Sequence, residues 1–357
     1  MTGLGGRLAL ILLGTVVGLG TAEAALRILA LVRPAEGLRA LHEARPDRPW
    51  LFGLRPGAEA RIAHTGDVLY TINAAGFRDR FYPTQKPAGT FRVIVMGDSI
   101  AFGYGVRLED SFAKRLEREL ATRAGTQPIE VLSLGVNGYN PYTEAALLAD
   151  VGVRYQPDLV LVAFCINDLN DPTMHFDAQT VLRLGDLPDL AFPDPAQRRR
   201  PVPPSRAARL CELSRLCSLL PGRAPQPLDP GTLAAGLVSY DRPSVTQLAW
   251  LRDRYADMAA TARTVGARFA AVVFPNSTQI DGKGSDQIDR DIAALGEAGG
   301  WQTIDLLPAF RRGRDAGPLF IDVWHPTAAG HRIAANALAV ALPCKRLVPV
   351  PPGPDCP

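Results

Sequence analysis

The amino-acid sequence predicts an α/β protein, a three-layer α/β/α sandwich built on a mainly parallel sheet. Three features point there. Arg92–Met96 is a β-branched, apolar strand, followed by a helix over Glu109–Arg123 that sets Phe112, Leu116 and Leu120 on one face. Asp158–Phe164 is apolar without alternation, the pattern of a parallel strand covered on both faces. Strand and helix patterns then alternate almost to the C-terminus, the order that builds such a sheet.

From Leu8 to Val32 the chain is apolar apart from Thr15, Thr21, Glu23 and Arg27. A run of about 25 residues suffices for a tilted transmembrane helix. Arg7 ahead of it leaves the N-terminus in the cytoplasm and exports the rest. The run also fits a cleaved signal peptide, with Leu8–Gly20 as its apolar region and Ala22-Glu23-Ala24 at the cleavage site. A buried helix of a soluble protein is disfavoured by the length and the missing polar face. The expected location is therefore the cell membrane, single-pass, with an extracytoplasmic (periplasmic) main domain, or secretion if the segment is removed.

Residues 1–33 are thus anchor or signal, and 34–90 a linker with a β-hairpin extension. The Pro- and Arg-rich stretch to residue 60 is the linker, and alternation around Thr65-Gly66-Asp67 marks the hairpin. The main domain covers 91–345. After the first strand and helix, Gly125 stops the helix and Ile129–Leu134 is the next strand. Asn140 followed by Pro141 is an N-cap with proline at the first helical position, opening a helix through Arg154. Residues 171–243 interrupt the repeat as a Pro-rich insertion, a lid or partner surface. Beyond it lie a helix near Val245–Val265, a strand at Phe269–Phe274, a helix around Asp286–Leu295 and a strand at Thr303–Leu306. A last helix over Thr327–Leu342 ends before Pro343, and 346–357 form a C-terminal tail.

With 47% hydrophobic and 21% charged residues the chain reads as folded. A net charge of +3, with no Lys/Arg stripe interleaved with aromatics, argues against nucleic-acid binding. Of the 5 cysteines, Cys211 lies near Cys217 and Cys344 near Cys356, candidates for two local disulfides in an oxidising compartment; Cys165 stands alone. Free thiols are the alternative, and the spacings do not resemble a zinc site.

Four short segments fall at strand ends. Gly97-Asp98-Ser99 follows the strand Arg92–Met96 and puts a hydroxyl where the chain leaves the sheet. Asp322-Val323-Trp324-His325 places a carboxylate three residues before an imidazole, within reach of Nδ1–H. Gly135 offers an unobstructed backbone N–H, and Asn167 an amide. Taken singly, each has a plain reading: a turn serine, a helix-capping histidine, strand-exit turn residues. His331 is expected on the surface of the last helix.

Taken together, and in this order, the segments resemble the SGNH or GDSL hydrolase family, which shares a flavodoxin-like sheet. The family's hallmark Ser, Gly, Asn and His correspond to Ser99, Gly135, Asn167 and His325, with Asp322 as the acid. Cys165 stands where the family has glycine. Ile72-Asn73-Ala74-Ala75-Gly76-Phe77-Arg78-Asp79 is similar to a segment of the membrane-anchored bacterial branch. The resemblance implies acyl transfer through an acyl-Ser99 intermediate, with His325 as base then acid and Asp322 orienting it. Ser99 N–H, Gly135 N–H and Asn167 would hold the oxyanion, with no metal or organic cofactor. Expected substrates are acyl esters, short-chain or acetyl, on a glycan, a lipid or a small alcohol. Two alternatives are a cell-envelope O-acyltransferase, which would need a membrane-protein partner to deliver acyl groups, and a non-catalytic anchored scaffold.

Overall fold

The computed structural model describes residues 4–28, 38–45, 47–62, 68–169, 243–354 and 356. The insertion at 171–243, with Cys211 and Cys217, lies outside the described residues except for its last residue, Pro243. The chain divides into two compact units, one holding the described N-terminal residues 4–28 and the other the described residues from 38 onward.

In the first unit the described element is helix α1, Leu4–Ile28. Its side chains from Leu10 to Leu19 are exposed and apolar around the whole circumference. Among the described residues no helix is long and apolar enough to cross a membrane. The transmembrane helix expected from the sequence is thus not found among the described residues.

The second unit holds every described strand. Two small antiparallel pairs come first: β1 (His42–Ala44) with β2 (Phe52–Leu54), and β3 (Glu59–Ile62) with β4 (Val68–Thr71). The second pair is the expected hairpin, alternating buried and exposed. The first lies in the stretch read as linker, where Leu41, Phe52 and Leu54 are buried. Proline and arginine dominate the composition there, so three-residue strands leave no legible period.

The main sheet has five strands in the order β6-β5-β7-β8-β9, all parallel. These are β5 (Phe91–Gly97), β6 (Ile129–Ser133), β7 (Leu159–Phe164), β8 (Arg268–Val273) and β9 (Gln302–Asp305). All six residues of β7 are buried. Right-handed crossovers then put the helix between β5 and β6 on one face and the later crossovers on the other. Accordingly α3 (Phe112–Arg123) packs with the final helix, while α4 (Pro141–Asp150), α5 (Val245–Thr264) and α7 (Gln287–Gly299) cover the opposite side. Short helices α2 (Ser99–Phe102), α6 (Ser277–Ile280) and α8 (Leu307–Arg312) follow β5, β8 and β9. Connections leave in opposite directions from β5 and β7, so their C-terminal ends flank the switch point where such sheets bind ligands.

Local chemistry fixes these elements as the sequence implies. Asn140 accepts from the N–H groups of Tyr142 and Thr143 and completes a capping box. Two expectations are corrected. Helix α9, Ala328–Cys344, runs through Pro343 instead of ending before it. Pro343 cannot donate to the Ala339 carbonyl, and that carbonyl instead accepts from Arg123 Nη1 at 3.0 Å. His331 is wholly buried, not surface, because α9 packs on α3 with the imidazole stacked 6.0 Å from the Phe112 ring. Its Nδ1 accepts from Phe112 N at 3.1 Å. The tail also folds back: Leu347, Val348 and Val350 are buried, and Cys344 is joined to Cys356 with a Cα separation of 5.5 Å.

Two outcomes follow. Mass spectrometry without reductant should find Cys344 linked to Cys356, and reduction should lower stability by about 3 kcal/mol, the loop-closure value for a loop this short; free thiols at both positions would contradict the fold of the tail. Burial, then the charges of Arg78, His325 and Arg115, push His331 from 6.5 down to about 3. The unfolded chain therefore binds a proton that the folded chain refuses, so stability is full above about pH 6.5 and drains as pH falls toward 3. Urea titrations should show the His331→Gln variant with a flatter stability profile from pH 7 to 4; parallel profiles would count against a neutral buried imidazole.

Candidate active site

Strand β5 delivers Ser99. Gly97, the last strand residue, has φ +149°, and a Cβ there would meet Ala101 Cβ at 2.8 Å. Only glycine lets the chain turn so sharply into α2. Asp98 caps α2 by accepting from Ile100 N at 3.0 Å. Ser99 is left buried just beyond the C-terminal end of the strand, where its Oγ lies 2.8 Å from His325 Nε2.

His325 comes from the turn between α8 and α9, closed by Ile321 N donating to His325 O at 2.8 Å. Asp322 in that turn is bound three ways. Oδ1 accepts from the N–H groups of Trp324 and His325, and Oδ2 faces His325 Nδ1 at 2.7 Å. Burial favours the neutral acid, but the imidazole's charge and these hydrogen bonds outweigh it and hold Asp322 well below the usual carboxylate range. A permanent anion at Nδ1 fixes the tautomer whose Nε2 accepts the serine proton. The Tyr104 ring packs on His325 with centroids 4.4 Å apart.

Asn167, in the 3-10 turn after β7, donates from Nδ2 to Asp98 Oδ2 at 2.7 Å. The same oxygen is 3.3 Å from Ser99 Oγ, so Asp98 ties the amide to the serine. Nδ2 carries a second N–H that this bond leaves available. Gly135 follows β6 by two residues, against α2: a Cβ there would lie 2.4 Å from Phe102 N and 2.5 Å from Ala101 C. Glycine is needed for that approach, independently of any chemistry. The structure thus joins Ser99, His325, Asp322 and Asn167 in one network and packs Gly135 on the helix that begins with Ser99. Cys165 is buried, and its N–H donates to Asp168 Oδ2 at 3.0 Å. Its φ is not positive, so the family glycine is not required at this backbone position.

Asp98 escapes sequence reasoning, since a residue preceding the serine could equally be only a cap. So do two fully buried carboxyls behind the site, Glu144 and Asp168. Burial raises both well above the usual range, with the charge of Asp98 adding at Glu144 and those of Glu144 and Asp98 adding at Asp168. Asp98 is also raised, chiefly by burial, against the pull of its bonds from Asn167 and Ile100 and of His325. Among the described residues no group of three His, Cys, Asp or Glu is arranged to hold a metal ion.

The family model described as GDSL-like Lipase/Acylhydrolase matches residues 95–333. Similar solved structures include TesA, at 16% identity and TM-score 0.43, covering 72% of this chain and 99% of that one. An acetyl xylan esterase, AlAXEase, matches at 16% identity and TM-score 0.43, covering 71% and 100%. An acetylxylan esterase from Geobacillus stearothermophilus, solved as a catalytic mutant, matches at 15% and 0.41, covering 70% and 92%. No curated protein matches the chain.

Asn167→Ala should leave covalent labelling of Ser99 by a fluorophosphonate in place but slow ester turnover by about 10²–10³-fold, the cost of one oxyanion donor. Unchanged turnover would exclude Asn167 from that role.

Proposed function

We propose, for a chain that belongs to the GDSL-like lipase/acylhydrolase family, that it hydrolyses acyl esters through an acyl-Ser99 intermediate. Membership makes it an ester-hydrolysing enzyme; the residues and their roles are our reading. What carries it is the unbroken line from Ser99 Oγ to His325 Nε2 at 2.8 Å and from His325 Nδ1 to Asp322 Oδ2 at 2.7 Å.

His325 Nε2 takes the Ser99 proton as Oγ attacks the ester carbonyl. Asp322 stabilises the imidazolium that forms. The carbonyl oxygen gains its charge among the N–H groups of Ser99 and Gly135 and the free N–H of Asn167. Collapse expels the alcohol, protonated by His325, and leaves the acyl-serine. Water, deprotonated by the same imidazole, then releases the acid and restores Ser99. The substrate is a carboxylic ester with a short acyl group, acetyl among them, carried on a glycan, a lipid or a small alcohol.

The chain is exported by its N-terminal segment and retained at the membrane surface or released after cleavage. The apolar, exposed α1 and the Cys344–Cys356 disulfide support this placement. Fractionation of expressing cells tests it: recovery of all the protein from the cytoplasm would refute export.

The direct experiment pairs wild type with Ser99→Ala, using a fluorophosphonate probe and a short-chain aryl ester. Labelling and hydrolysis should vanish together in the variant, with His325→Ala nearly as inactive because the residues act as a unit. Labelling with little hydrolysis would favour acyl transfer to a sugar hydroxyl. A folded wild type that neither labels nor turns over would favour the scaffold.

A further inference from the structure

The segment running from β4 to Asp79 touches none of the reacting atoms, yet its side chains are committed to the loop that carries them. Arg78 is 2% exposed. Its Nη1 donates to the carbonyls of Phe102, at 3.0 Å, and Gly103, and its Nη2 donates to Val106 O at 2.6 Å. The guanidinium lies over the Tyr70 ring at 4.2 Å and 5.2 Å from that of Phe102, and those two rings stack at 5.4 Å. Tyr70 Oη accepts from Gly105 N at 2.7 Å. The residue next to Arg78 reaches the neighbouring strand end: Asp79 Oδ2 accepts from Ser133 N at 2.8 Å, and Ser133 Oγ donates to Ala101 O at 2.7 Å.

Every one of these bonds ends on the stretch that starts with Ser99 or on the strand that leads to Gly135. The carbonyls that Arg78 covers close α2, whose first residue is Ser99, and Tyr104, whose ring packs on His325, lies between them and Gly105. A buried guanidinium is expensive unless its donors are used, and here burial lowers it only to about 10, so it stays charged at neutral pH. Its planar fork reaches three diverging carbonyls, which the single ammonium of a lysine does not match.

We infer that Arg78, held by Tyr70, is a positioning residue for the nucleophile: it fixes the 99–106 turn so that Ser99 Oγ and the Tyr104-backed His325 meet in register. This rests on the esterase reading and deepens it. The hairpin and the segment after it are then part of the active site and not a spacer between membrane and enzyme. A displacement of about 1 Å at a reacting group costs about 100-fold in rate, so a brace this close to the nucleophile acts on kcat.

The test uses the full chain and three variants, Arg78→Met, Arg78→Lys and Tyr70→Phe, with Leu120→Ala as a core lesion remote from the turn. Activity is taken per folded molecule from circular dichroism. In Arg78→Met, kcat and the fluorophosphonate labelling rate should fall ten- to a hundred-fold while KM stays within two-fold. Arg78→Lys should recover part of the loss. Tyr70→Phe, which keeps the stack and loses one acceptor, should cost several-fold. Leu120→Ala should lower Tm without changing kcat. Should Arg78→Met fail to fold, the other two decide: wild-type kcat in both overturns the brace. Hydrogen exchange supplies a readout independent of turnover. Amides of 99–106 should exchange at least ten-fold faster in the Arg78 variants, with those of 93–96 unchanged. Unaltered exchange in 99–106 overturns the inference even if the wild type hydrolyses no ester, whereas an inert wild type with loosened 99–106 amides sinks the esterase reading alone.

Discussion

Strand β5 lies inside a parallel sheet covered on both faces, and Val93 to Met96 have no exposed surface at all. Backbone polar groups in such a strand are used up by its two parallel neighbours, and from Val93 to Met96 its side chains are apolar. A reactive hydroxyl can therefore appear only where the strand stops. Gly97 makes that stop abrupt, and everything else at the site is arranged around the point it defines. Asn167 arrives from the adjacent strand β7, Gly135 from β6 on the other side, and the 322–325 turn from beyond β9. The site sits at the switch point because that is where neighbouring strand ends diverge and leave room.

The electrostatics of this point are divided between two carboxylates with opposite surroundings. Asp322 is bound by two backbone N–H groups and an imidazole, and stays ionised. Asp98 is deeper, with Glu144 and Asp168 behind it, and burial dominates its behaviour. The first suits a partner that must bear a transient imidazolium. The second suits an anchor: its Oδ2 accepts from Asn167 Nδ2 and lies beside the Ser99 oxygen, whose single proton faces His325 Nε2. Distinct environments thus push the two aspartates, one beside His325 and one beside Asn167 and Ser99, in opposite directions.

Much of this was legible in the chain. The strands β5 to β8 announce themselves through apolar runs, and α4 through Asn140 and Pro141, because burial and capping are properties of neighbours in sequence. Ser99, Gly135 and Asn167 stand just past the strand ends as expected, whereas Asp322 and His325 lie in a turn between two helices, and the five came together as candidates only through the family resemblance. The misjudged features share a cause. His331 looked like surface because its partner Phe112 lies on another helix, 219 residues away. Pro343 looked like a helix stop because Arg123, which satisfies the orphaned carbonyl, is likewise remote. The strands β1 and β2 were hidden by composition and are held by packing Phe52 and Leu54 into the core and by remote bonds such as Tyr139 Oη donating to Phe52 O.

By itself, then, the sequence determined the parallel α/β class and the order of elements, since periodicity, caps and turn residues act within a few positions, and it offered the candidate site residues only through their joint resemblance to a family. Tertiary structure alone decided that Ser99 and His325, 226 residues apart, meet at hydrogen-bond distance, that Asp98 joins Asn167 to the serine, and that Arg78 folds over the turn beyond it. These are pairings across elements, and no local pattern encodes which distant carbonyl a buried guanidinium will find.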